Sequence, residues 1–255
     1  MEDFVDRHSV VRSIWGCSDT ILLIFAGAAA EFALNRAVDW LFFTGRIPND
    51  PIGRLFSTVR YAQEIVFADE AAARRALNRI NAAHATVERR RDARIPEWAH
   101  RDVLYMLIDY SERAYERLRR PLSLAEKHDL YDVFYRVGVG LHVRELPASY
   151  AEWRLDRQLH LERDLVYSPH TAQLYEKYRE HLGWWRYELV LRLQAALVPE
   201  RVRELLKLNP MPPLTSALRA YGMFGVGGLR RAAQWLLLPA DRLDDVRRLD
   251  QAGVN

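Results

Sequence analysis

The chain has one cysteine, Cys17, among 255 residues. That excludes an internal disulfide framework and any zinc or iron–sulfur cage built from thiolates, and a reducing compartment is the simplest setting. Charge of one sign is scarce as well. Lys and Arg number 37 against 34 Asp and Glu, a formal net charge of +3, which is too small and dispersed to point to nucleic acid as a partner. Long apolar runs are missing: the longest, TILLIFAGAAA at 20–30, stops at Glu31, whereas a bilayer span takes about 20 residues. Glu2, Asp3 and Asp6 stand where a secretory signal carries bases. The expected location is therefore cytoplasmic, with membrane contact at most peripheral. P-loop, H-E-x-x-H and G-x-S-x-G motifs are absent, and GMFGVGG at 222–228 neither follows a strand nor spells G-x-G-x-x-G.

The chain does have helical periodicity along nearly its whole length. In the stretch 69–88, Ala73, Leu77, Ile80, Ala83 and Val87 recur every three or four residues, which predicts an amphipathic helix. Segments 103–118, 131–139, 171–181 and 187–198 read the same way between Pro96, Pro121, Pro147, Pro169 and Pro199. Helix starts are marked by Asp19, by Ser123 with Glu126 and by Ser149 with Glu152. No strand-like alternation and no internal repeat are visible. The predicted fold is all-α, one large helical domain over 1–255, with 229–255 as a C-terminal helical appendage set off by loop-rich 208–213 and 222–228.

Three places carry side chains suited to chemistry. His84 lies on the apolar stripe of its helix among Ala82, Ala83 and Ala85, where a flat group can approach the backbone; from spacing alone a core imidazole held by a backbone carbonyl is the simpler reading, and a haem-iron ligand the other. In DPIGRLFSTVRYAQEI (50–65), Arg54 and Thr58 sit four apart on one helix face. Together they can hold a carboxylate, polarise bound oxygen or meet a haem propionate, or else serve as a surface ion pair and a helix back-bond. Glu31 is the only charge between Thr20 and Asn35, so it must find a partner or take up a proton. It is either a general acid or base, or the structural partner of Arg54 or Arg36. Asp39 is a second acid close by. Glu97-x-x-His100 has the spacing of a di-iron carboxylate bundle but no second copy exists. His142, His160, His170 and His181 share no spacing, and Arg89–Arg91 read as a favourable helix C-terminus that could also meet propionates.

The order of an apolar helix, DPIGRLFSTVRY, INAAHATVE, VLYMLIDYSERAYERL, LSLAEKHDLYDVFYRVGVGL, ELPASYAEW and LVPERVRELLKL resembles the rubber oxygenase (latex clearing protein) and mycophenolate-pathway oxygenase (MpaB) group over residues 14–239. The resemblance implies an all-helical fold that binds haem b and oxidises a hydrophobic substrate. His84 matches the proximal iron ligand, and Arg54 and Thr58 match the Arg-x-x-x-Thr pair of the distal pocket. Glu31, or in second place Asp39, matches the catalytic acid. Ser57 stands where rubber-cleaving relatives can carry a lysine. The expected function is haem-dependent oxygenation of a small isoprenoid-like or aromatic substrate with O2 or peroxide. The rival readings are a non-catalytic haem carrier or sensor and a metal-free helical interaction protein. The oligomeric state is not specified by the sequence.

Overall fold

The computed structural model describes residues 2–43, 51–224 and 249–250. Its helices are α1 (Val10–Trp15), α2 (Ser18–Phe32), α3 (Asp39–Phe43), α4 (Pro51–Val66), α5 (Glu70–Arg91), α6 (Glu97–Leu118), α7 (Leu124–Gly140), α8 (Tyr150–Arg163), α9 (Pro169–Leu182), α10 (Trp184–Leu197), α11 (Glu200–Leu205) and α12 (Pro212–Phe224). Among the described residues no strand occurs, only the isolated bridges Asp3–Asp69 and Asn35–Leu165. The all-α expectation holds.

Local chemistry sets the helix ends. Asp69 caps α5, its carboxylate accepting the Ala72 N–H at 2.7 Å. Ser123 and Glu126 form a reciprocal capping box on α7, and Ser149 accepts from Glu152 on α8. Asp19 does not cap α2. It lies inside the first turn and accepts a hydrogen bond from Tyr221, while the carboxylate of Asp250, 232 residues away, receives the Ser18 backbone N–H at 3.0 Å. Gly183 separates α9 from α10 with φ 74°, a left-handed backbone that a Cβ would strain.

Packing follows from the apolar faces. α2 is buried nearly all round and lies along α6, flanked by α10; α6 in turn packs against α7 and α12. The approach of α2 to α6 depends on Gly27, since a Cβ there would fall 2.3 Å from the Tyr110 ring. Trp15 and Trp153 are fully buried, as are Ile14, Ile24, Ile108 and Leu130. Burying one such side chain contributes on the order of 2 kcal/mol. α4 and α5 form a helical hairpin across 67–69, and α5 rests on α7. Of the C-terminal appendage, 229–248 and 251–255 lie outside the described residues. Leu249 is buried in the core, and its carbonyl accepts from the Gln63 side chain.

Candidate functional site

The α4–α5 hairpin carries His84, Arg54 and Thr58. The apolar stripe of α5 is buried at Ala73, Ala76 and Leu77, then opens: Ile80, His84 and Val87 are half-buried and Ala82 and Ala83 exposed. The Glu64–Arg79 ion pair links the two helices of the hairpin at the surface. Thr58 is half-buried; the Arg54 side chain lies outside what the structure describes. A second imidazole faces His84, since the His100 ring centre is 5.0 Å away at a 50° tilt. Burial pushes the pKa of His100 down, against the smaller opposing pull of Glu97 and Glu88. The Glu97-x-x-His100 segment thus opens α6 beside His84.

A haem needs an imidazole on a face with room for a flat, apolar ring. Beside His84 the half-open stripe of α5 carries only alanine side chains at 82, 83 and 85. The bases Arg89, Arg90 and Arg91 fill the last turn of α5, where they favour the helix dipole. Arg91 reaches the Asp39 carboxylate at 2.5 Å and lies over the Trp40 ring at 4.0 Å, clasping α3 to the end of α5. Asp39 keeps 38% of its side chain exposed.

Glu31 sits elsewhere in the architecture. Only 1% of it is exposed. Its two carboxylate oxygens accept from Arg157 at 2.5 and 2.6 Å, and the Tyr110 hydroxyl donates to one of them at 2.9 Å. Arg157 also reaches Asp109 at 3.0 Å, and Asp109 accepts from Arg113 at 2.8 Å. Two carboxylates and two guanidinium groups therefore cancel inside the core. The two acids beside it hold the Arg157 guanidinium well above the ordinary arginine range despite its burial. The partner of Glu31 is Arg157, 126 residues away, rather than its sequence neighbour Arg36. No local spacing signals that pairing.

A second buried cluster escaped the sequence reading. His160 and Asp164, one turn apart at the end of α8, meet Asp102 at the start of α6. His160 Nδ1 contacts Asp102 Oδ1 and lies 3.0 Å from Asp164 Oδ2. The i, i+4 spacing of His160 and Asp164 was visible in the sequence; their meeting with Asp102 was not. A surface cavity of about 340 Å3, lined by residues including His8, Tyr115, Arg120 and Asp129, shares no residue with either cluster.

Together these features define an all-helical protein in which half-buried His84, on the half-open strip of α5, lies against the His100 ring. The family model for the catalytic domain of the ER-bound oxygenases mpaB and B' and rubber oxygenase matches residues 18–236. The chain belongs to this mpaB/rubber oxygenase family and carries its oxygenase catalytic domain. No curated protein and no solved structure matches it. Among the described residues no helix is long and apolar enough to cross a membrane.

Proposed function

We propose that the protein is a haem-b-dependent oxygenase acting on a small hydrophobic substrate, isoprenoid-like or aromatic, with O2 or peroxide as the oxidant. The observation that carries the reading is His84, half-buried on the open strip of α5 inside a chain of the oxygenase family. In this reading the His84 imidazole ligates the iron through one ring nitrogen, and an acceptor on the other nitrogen keeps the ring oriented. When bound, the haem supplies a redox-active iron that activates oxygen toward the substrate.

The remaining steps fall to the side chains. Arg54 and Thr58, on the helix that pairs with the His84 helix, donate hydrogen bonds to the oxidant and orient it. An acid supplies or takes up the proton. Glu31 serves in that role only if its Arg157 clamp opens, because both oxygens are engaged and sealed from water. Asp39 is open to solvent and already tied to the last turn of the His84 helix, which favours it for proton movement. Ile80 and Val87, half-buried beside His84, furnish apolar wall for the substrate. Contact with a membrane surface as a substrate source is supported by the exposed Trp184, beside Trp185 and Arg186.

The test is the visible spectrum of the protein expressed with haem precursor, beside its His84→Ala variant. A strong Soret band in the parent, lost or greatly weakened in the variant, is expected; an unchanged band moves the ligand elsewhere and ends the assignment. Oxygen or peroxide consumption upon addition of an apolar substrate distinguishes an oxygenase from a haem carrier or sensor.

A further inference from the structure

We infer that Asp102, His160 and Asp164 form a structural site for one divalent transition-metal ion of the zinc or manganese class, separate from the His84 region. The three ligand atoms, one from each side chain, all lie within 4.8 Å of one another, and the three residues are 2%, 2% and 4% exposed. Ligands bound about 2.1 Å from a common ion stand roughly 3.0–3.5 Å apart, so the widest pair of these atoms has to close and the His160–Asp102 pair to open by about an ångström. One imidazole nitrogen with two carboxylate oxygens is a donor set that zinc and manganese both accept.

The surroundings are arranged as supports for such ligands. The Asn35 side-chain amide donates to the other oxygen of Asp102 at 2.6 Å, and the carbonyl oxygen of the same amide accepts the Ala37 N–H at 2.8 Å. Arg163 grips Asp164 through both oxygens at 2.9 and 2.8 Å, leaving a lone pair of Oδ2 for a cation. On the far side of the ring, Asp156 Oδ2 lies 3.7 Å from His160 Nε2 and is fixed by the Tyr105 hydroxyl at 2.7 Å; Arg163 Nη2 stands 3.3 Å from the same nitrogen. A guanidinium can only donate, so Nε2 accepts from Arg163, and Nδ1 faces the two carboxylate oxygens as the ring position that a proton or a metal ion fills. Whichever cation sits at Nδ1, proton or metal ion, is what joins the three side chains in a dry interior.

Charge points the same way. Asp102 and Asp164 are buried carboxylates and Asp156 a third, partly open one; among the described residues Arg163 is the one arginine within their hydrogen bonds. A divalent ion at Nδ1 neutralises the excess. Its role is to fasten the turn after α2 to α6 and α8, because Asn35 belongs to that turn and its neighbour Arg36 donates its backbone N–H to the Asp164 carbonyl at 3.0 Å. The same turn leads directly into α3 and Asp39. The competing arrangement is a proton on Nδ1 shared between the two carboxylates.

The experiment is metal analysis of the tag-free, full-length protein by plasma mass spectrometry, combined with thermal melting followed by far-UV circular dichroism. About one equivalent of zinc or manganese beyond any haem iron is expected. Its removal by a strong chelator should lower the melting temperature by about 5 °C or more, with restoration by Zn2+ or Mn2+ but not by Mg2+. Asp102→Asn, nearly unchanged in shape, should lose the metal while keeping its helical signal. Wild-type protein that carries no such metal and does not respond to added Zn2+ or Mn2+ overturns the site in favour of the shared proton. So does a folded Asp102→Asn that retains the ion. Should that variant fail to fold, chelation and re-addition on the wild type decide alone.

Discussion

Replacing Arg157 with methionine removes the one guanidinium that bridges Glu31 and Asp109 while keeping most of the side chain's length. Arg157 has only 6% of its side chain exposed, and Glu31 and Asp109 have 1% and 5%. Arg113 stays with Asp109 at 2.8 Å, so the uncompensated charge falls on Glu31, whose remaining partner is the Tyr110 hydroxyl. Leaving such a buried charge unpaired costs about 3–5 kcal/mol, a large share of the 5–15 kcal/mol that typically holds a domain together. The companion Glu31→Leu leaves Arg157 with Asp109, and the double variant Glu31→Leu/Arg157→Met removes both charges together. The double variant should therefore recover at least about 2 kcal/mol relative to the sum of the single effects. Urea unfolding followed by far-UV circular dichroism measures all four proteins. An Arg157→Met cost under about 1 kcal/mol, or strict additivity in the cycle, refutes the account of a closed charge network. The same double variant also separates the two acids. Oxygenase turnover retained in it assigns Glu31 to the framework, whereas turnover lost despite a recovered fold returns Glu31 to the chemistry.

Three further outcomes can be checked. Burial pushes the pKa of Glu112 up to about 7, against the opposing pull of Lys127. The native state therefore keeps a proton that the unfolded chain releases from about pH 4.5, so stability falls as pH rises toward 7. The loss amounts to on the order of 3 kcal/mol, and Glu112→Gln should flatten the urea midpoint across that window; a slope equal to the parent's excludes Glu112 as its source. Gly27→Ala drives a methyl into the Tyr110 ring. It should cost about 1–3 kcal/mol or more, with part regained when Tyr110 is also made Leu, as read from melting curves. Asp39→Asn should depress turnover while leaving the Soret band and the fold in place; full activity in a haem-loaded Asp39→Asn removes it from proton transfer.

The helices were legible because their signals are local. The stripe from Ala73 to Val87, the Ser123–Glu126 box and the breaks at proline each act within one or two turns, and α5, α7 and α8 formed where those signals lie. Membership in the oxygenase family could also be read, since it rests on the order of short motifs along the chain. The neighbours of the candidate residues could not. Burial made it certain that Glu31 would need a partner, but choosing Arg157 required α2, α6 and α8 to pack side by side. His100 beside His84, Asp102 beside His160 and Asp250 at the head of α2 are likewise contacts across 16, 58 and 232 residues.

Sequence alone thus determined where the chain turns helical and which residues are costly to bury. Tertiary structure decided which opposite charges and which imidazoles share a site. The physical reason is that helix formation reads neighbours three and four positions apart, whereas the neutralisation of a buried charge depends on whichever distant segment the packed apolar faces bring within about 3 Å.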